Sequence, residues 1–359
     1  MKRFEFSTSL KQSVRLVKLL AVLCLLLAII GLATLSRSVM ASREGSAEYR
    51  SFMVKYCRPG NVPYPKGNQF TKERELLGRT LFFDPRLSES KWIACANCHN
   101  PAFSWGDGLA KGIGQGMKEL GRRTPTILNL AWAEPLFWDG RAQTLEDQAL
   151  GPVASPAEMN LPLDKMIERL RAIPGYQPLF SKAYPNEAIS EQTVAKAIAT
   201  FERTIVSGKA PFDEWIEGHE NAISEEAKRG FLLFNTKANC AKCHNDWRFT
   251  DDGFHDIGLP GGDIGRGMLF REIEINQFAF KAPTLRNCAI RAPFMHDGSK
   301  RTLEEVVEHY DRGGEVKRPS LSPEIKALTL TVQEKRELVA FLKTLTSVDR
   351  SVEIPMLPH

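Results

Sequence analysis

Two five-residue units constrain this chain more than any other feature of its sequence: Cys95-Ala96-Asn97-Cys98-His99 and Cys240-Ala241-Lys242-Cys243-His244. Each sets two thiols close together, ready for thioether bonds to the vinyl groups of a haem, and follows them with a histidine placed to bind its iron. A zinc or redox Cys-x-x-Cys would need further ligands at suitable spacing, and none accompany either unit. The expectation is two covalently bound c-type haems, attached at Cys95, Cys98, Cys240 and Cys243, with His99 and His244 as iron ligands. The face of each iron opposite its histidine then decides the chemistry. An iron with two protein ligands passes electrons, and one with an open sixth position binds and activates peroxide.

The N-terminus points to the compartment. Lys2, Arg3, Lys11, Arg15 and Lys18 precede an uncharged run from Leu19 to Leu35, followed by Val39-Met40-Ala41-Ser42. This order reads as an export signal with cleavage after Ala41. The run is nearly long enough to span a bilayer, so an uncleaved anchor to the inner membrane is the alternative. Cys24 follows Leu23 rather than a small residue, which argues against a lipoprotein site. On either reading the functional body is periplasmic. Of the seven cysteines, Cys57 and Cys288 remain; an oxidising compartment permits a disulfide between them, and two unpaired, partly buried thiols is the other reading. With 43% hydrophobic and 25% charged residues the chain is an ordinary globular one, and a net charge of +5 with no basic run beyond the extreme N-terminus argues against a nucleic-acid partner.

Thr71 to Gly78 reads as a capped helix start that runs into Leu81-Phe82-Phe83-Asp84-Pro85, where proline stops it. Ser224 to Phe234 repeats the phrase before the second unit. The order of helix, Leu/Phe-Phe and haem unit therefore occurs twice, which predicts a mainly α fold of two cytochrome c-like haem domains with long loops. Further helices are expected over 189–205, 303–310 and 334–345 from apolar residues at helical spacing. Residues 249–283, rich in Gly, Asp and Pro, read as loops with at most short strands. The expected division is 1–41 signal or anchor, 42–70 spacer, 71–220 N-terminal haem domain, 221–347 C-terminal haem domain and 348–359 tail.

Further phrases complete a pattern: Phe137-Trp138-Asp139-Gly140-Arg141, Phe249-Thr250-Asp251 with Phe254-His255, Pro283-Thr284-Leu285-Arg286-Asn287, Pro293-Phe294-Met295-His296-Asp297-Gly298 and Tyr310-Asp311-Arg312-Gly313-Gly314. Together, over residues 70–345, they resemble the bacterial dihaem cytochrome c peroxidase and MauG family. The resemblance implies a peroxidatic haem on His99 and an electron-transfer haem on His244, with Trp138 between them as electron relay. It implies that Gln148, Pro152 and Glu158 form the distal pocket, where Glu158 moves a proton between the oxygens of peroxide.

Three departures qualify it. Where peroxidase-branch members have a methionine ligand fourteen residues after the Pro-x-x-His histidine, this chain has Tyr310, counted from His296. Tyrosinate favours ferric iron, which points toward the MauG-like branch, with Met295 as the alternative ligand. No histidine lies between His99 and His219 to block the peroxidatic iron, although Met117 stands in the matching stretch. Where the family holds an interdomain calcium, Arg122, Arg123 and Arg291 bring positive charge, which disfavours calcium. The expected function is reduction of hydrogen peroxide by electrons from a small cytochrome c or other redox protein, or from side chains of a partner protein. A dihaem electron carrier without peroxidase activity is the alternative.

Overall fold

Thr71 shows how this sequence starts its helices: its backbone is extended and its hydroxyl accepts the Arg74 amide at 3.2 Å. This fills one of the orphan donors of the first turn. In the computed structural model, which describes residues 49–359, six helices carry the architecture. They are α1 (Lys72–Phe82), α2 (Leu145–Ala149), α3 (Glu191–Arg203), α4 (Glu225–Asn235), α5 (Leu303–Asp311) and α6 (Val332–Lys343). Side-chain caps also start α2 at Thr144, α3 at Ser190, α4 at Ser224, α5 at Thr302 and α6 at Thr331. The helices expected over 189–205, 303–310 and 334–345 are thus present, and the fold is mainly α. A single antiparallel pair, β1 (Phe254–His255) and β2 (Phe280–Lys281), joins Phe254 to Lys281 and His255 to Phe280 among loops and short 3-10 turns. Residues 49–53 are helical and belong to a separate N-terminal unit, and residues 55–359 pack as one body. The signal or anchor expected over 1–41 lies outside the described residues.

The body is built on one helix crossing used twice. Helix α1 packs on α3 with Gly78 at the crossing, where a β-carbon would lie 1.9 Å from the Ala197 carbonyl oxygen; α4 packs on α6 with Gly230 at the crossing, where the clash would be with the Glu337 carbonyl oxygen, also at 1.9 Å. Four residues beyond each glycine an aromatic ring meets the partner helix edge-on. Phe82 contacts Phe201 and Phe234 contacts Phe341, both at 5.1 Å between centroids. Such edge-to-face pairs add about 0.5–1.5 kcal/mol each beyond the area they bury.

The tail, residues 348–359, ties the two repeats. Asn287 accepts the Ser347 amide at 2.8 Å and donates to Asp349 at 2.8 Å, and Asp349 accepts the Gly208 amide at 3.0 Å. Val352 then packs on the core of the first repeat, Arg86 donates to the Pro358 carbonyl at 2.9 Å, and the Gly175 amide donates to the His359 carbonyl at 2.9 Å. Cys57 is exposed and Cys288 buried, and no disulfide joins them, so of the two sequence readings the disulfide is not the one found.

Candidate active site

Both Cys-x-x-Cys-His units fold as a tight turn that aims the histidine. Asn97 accepts the Ala94 amide at 2.7 Å and the His99 amide reaches the Cys95 carbonyl at 2.9 Å; in the second unit the His244 amide reaches the Cys240 carbonyl, also at 2.9 Å. Each imidazole is oriented from behind. Nδ1 of His99 faces the Trp105 carbonyl at 3.3 Å and Nδ1 of His244 faces the Phe249 carbonyl at 2.9 Å. A carbonyl can only accept, so the proton sits on Nδ1 and Nε2 keeps its lone pair, which is how a metal-binding histidine is prepared. Burial lowers the pKa of both rings, which favours the neutral, ligating form. Burial pushes the Cys95 and Cys240 thiols up to about 12. They are neutral sulfurs, suited to thioether bonds rather than to a thiolate metal site.

One continuous cavity of about 890 Å³ is lined by both units and their histidines. Its wall is largely apolar, but it includes Arg123, Arg248 and Arg291, each buried and each with an Nε that has no hydrogen-bond partner. Orphaned buried guanidinium nitrogens imply an anion that completes them. The paired carboxylates of two haems fit that requirement, as the thiols and histidines fit the rest of the group.

The structure brings the expected distal residues to the His99 side. Gln148 on α2, Pro152 in the following turn (Gly151–Ala154) and Glu158 all line the cavity. Glu158 is held by its amide on the Ser155 carbonyl at 3.1 Å, and burial first, then nearby acids of which Glu158 is one, raise both thiols of the first unit. Trp138 also lines the cavity, nearly buried, and its indole Nε1 donates to the Arg123 carbonyl at 2.8 Å. Met117 does not reach the cavity: it is 66% exposed, and its loop contributes Ile113 and Gly114 instead.

Tyr310, in the last turn of α5, lines the same cavity, as do Leu330, Leu338 and Leu342. Burial first, then the sulfurs of Cys243 and Cys240, raise the pKa of its hydroxyl. Met295 lines the same cavity. His309, next to Tyr310, is committed elsewhere, with Nδ1 on Glu315 at 3.1 Å and Nε2 on the Ile257 carbonyl at 2.9 Å.

The arginines singled out in the sequence are placed as anchors. Arg122 is clamped by Asp263 at 2.6 and 2.9 Å and by Asp139 at 2.7 Å. Arg123 donates to the Arg291 carbonyl at 2.6 Å, and Arg291 donates to the carbonyls of Thr284 and Arg286 at 2.7 and 2.6 Å.

Residues 72–221 match the family described as Di-haem cytochrome c peroxidase. The chain is 50% identical over 329 residues to the methylamine utilization protein MauG of Methylorubrum extorquens, covering 90% of this chain and 93% of that protein. It belongs to the di-haem cytochrome c peroxidase and MauG family. Within the family it is also 34% identical to the cytochrome c551 peroxidase of Nitrosomonas europaea, over 79% of this chain and 82% of that one. Its fold matches the crystal structure of a MauG-like protein associated with microbial copper homeostasis, with a TM-score of 0.74, 33% identity, and 82% and 94% of the two chains covered. The chain is therefore a dihaem peroxidase-type oxidoreductase, and the reading as a carrier without peroxidase activity is set aside.

Two cavity groups carry no role in the sequence reading. His255 lies in a phrase that marks the family, and its Nε2 meets Asp251 at 2.8 Å; this bond, ahead of one to Cys243, raises its pKa to about 10. Among the described residues Cys243, Asp251 and His255 are also the one group close enough to share a metal ion, but a thioether at Cys243 takes the sulfur out of that set. Glu202 is the other group. Its sequence signal is an acid on the apolar face of α3, one turn after Ile198, and both residues line the cavity.

Proposed function

We propose that this chain uses hydrogen peroxide to oxidise side chains of a partner protein, with the His99 iron open to peroxide and the His244 iron closed by Tyr310. The observation that carries this reading is an asymmetry within the cavity that Gln148 and Pro152 also line: the carboxylate of Glu158 acts on Cys95 and Cys98, and the phenol of Tyr310 lies against Cys243 and Cys240. The bound haems supply iron that accepts and passes single electrons. Everything else falls to side chains. Glu158 takes the proton from the near oxygen of peroxide and returns it to the departing one, Gln148 donates a hydrogen bond that orients the substrate, and Pro152 fills the pocket so that bulk water stays out. Trp138, anchored through Arg123, offers an aromatic path along the cavity. The balance is one H₂O₂, two protons and two electrons giving two waters, with both electrons drawn from the partner's side chains.

The phenol supports this donor over a small cytochrome c, because an anionic oxygen ligand favours ferric iron. Covalent attachment through the four Cys-x-x-Cys-His thiols is part of this reading, and the place of all four in the cavity wall supports it. The haem domains divide near residue 220, a boundary supported by the family match that ends at residue 221. Arg123 and Arg291 take the place of an interdomain calcium, and export to the periplasm follows from the order of the first forty residues. In the described residues no helix is long and apolar enough to cross a membrane.

A low-temperature paramagnetic resonance spectrum of the fully ferric protein tests the asymmetry. One high-spin and one low-spin signal are expected. Tyr310→Phe should convert the low-spin signal to a second high-spin one and Met295→Leu should leave both as they are. The opposite response of the two variants makes Met295 the ligand, and two low-spin signals in the wild type would overturn the open His99 site.

A further inference from the structure

We propose that Glu202 is the proton-holding group of the His99 haem pocket, taking up a proton when that haem is reduced and releasing it when the haem is oxidised. The inference rests on the assignment of a haem to His99 and is independent of what the peroxide oxidises.

Geometry isolates this carboxyl. Glu202 projects from α3 one turn after Ile198, and both side chains line the cavity. It is 4% exposed, and its Oε2 has no hydrogen-bond partner. The one cation beside it is already committed: Arg203 donates to both oxygens of Glu146 on α2, at 2.7 and 2.8 Å, and Asn68 donates to the same carboxylate at 2.8 Å. That pair is neutral as a unit, so Arg203 draws Glu202 toward ionisation while Glu146 opposes it. The other groups that face this corner are Cys95, whose thiol feels the Glu202 charge and which becomes uncharged thioether in the holoprotein, and Glu158 across the cavity. Neither offers a positive charge. The remaining candidate is the haem itself.

A buried acid without a cation stays protonated until positive charge appears nearby. Burial, partly offset by Arg203 and reinforced by Glu146, lifts Glu202 to about 8, so at neutral pH it holds its proton and the pocket carries no net charge from it. Removal of an electron from a haem held by Cys95, Cys98 and His99 would add one positive charge to this pocket and make the acid stronger; the O–H bond of Glu202 would break and the proton would leave through the cavity. Reduction reverses this, with one electron from the reductant matched by one proton from solvent. The pKa is therefore higher with reduced haem than with oxidised haem, and between the two values reduction grows harder as pH rises, by up to about tenfold in its equilibrium constant per pH unit.

Redox titration of the holoprotein, followed by absorbance at several pH values from mildly acidic to alkaline, reads this directly. The wild-type His99 haem should lose reducibility with rising pH, Glu202→Gln should flatten the dependence, and the His244 haem should respond alike in both proteins. A wild type that is flat, or a Glu202→Gln protein with the wild-type slope, overturns the proposal. If that variant does not fold, the infrared difference spectrum of wild-type protein on oxidation decides: a protonated-carboxyl band that shifts in D₂O and disappears is expected, and its absence refutes the assignment. Peroxide turnover is read separately, so loss of the peroxidase reading leaves this result standing.

Discussion

Gly78 against Ala197 and Gly230 against Glu337 are the same crossing, with the same 1.9 Å allowance and the same aromatic pair one turn on. What hangs on the two crossings differs. Among the cavity-lining groups, the acids Glu158 and Glu202 act on Cys95 of the first unit, whereas the phenol of Tyr310 and the imidazole of His255 sit against Cys243 of the second. The comparison separates scaffold from chemistry. Helix packing is common to the two repeats, and the side chains that line the cavity beside each Cys-x-x-Cys-His unit are not.

Glu158→Gln should strike the reactive half hardest. Peroxide turnover is expected to fall about 10²- to 10⁴-fold, the usual worth of a positioned acid–base group, while the ferric spectrum of the His244 haem is unchanged. A loss smaller than tenfold would mean that proton transfer does not distinguish the halves. Gly78→Ala and Gly230→Ala should destabilise to similar degrees, about 1–3 kcal/mol each by denaturant unfolding, because overpacking displaces the partner helix; a large effect at one and none at the other would break the structural repeat.

Acid should weaken the two halves unequally. Hydrogen bonds from Arg203 and Asn68 outweigh burial and hold the Glu146 carboxyl below its ordinary value. A group lowered in the folded state stabilises above its unfolded pKa of about 4.3 and loses that contribution as pH falls through the folded value. The stability difference between wild type and Glu146→Gln should therefore shrink between neutral pH and strong acid, and a constant difference would deny the ion pair its role. The smallest effect belongs to Met117→Leu. Its exposed side chain should leave turnover and the ferric spectrum unchanged, and a new high-spin signal would instead show that Met117 binds iron.

Much of this was legible in the sequence for a physical reason: the capped helices advertise themselves. Thr71, Ser190, Ser224, Thr302 and Thr331 each place a hydroxyl before an amphipathic run. The helices over Leu163–Arg171 and Tyr176–Ala183 were not legible, since Pro162 and Gly175 precede them and no side chain caps either. Tertiary packing holds these, with Met166, Leu170, Tyr176 and Phe180 buried. Site residues divided similarly. His99, His244, Trp138 and Tyr310 lie in phrases with recognisable spacing, Gln148, Pro152 and Glu158 came from the family resemblance, and all seven line one cavity, whereas Glu202 becomes visible only when its helix shows which face is inward. The roles of Arg123 and Arg291 as anchors depended on carbonyl groups distant in sequence, which no local pattern reveals.

The tail gives the chain an unusual order of completion. Arg86 and Pro358, bonded in the folded protein, stand 272 residues apart, so the outer face of α1 and its neighbours is finished by residues made after both repeats. Closing so wide a loop costs little more than closing a modest one, since each doubling of length adds only about 0.6 kcal/mol. Its influence falls on time rather than on equilibrium, because contacts of high sequence separation form slowly. The two haem-bearing halves can each assemble their helices early and locally, and the last segment then fastens one to the other, so that maturity of the first half reports that the second is already in place.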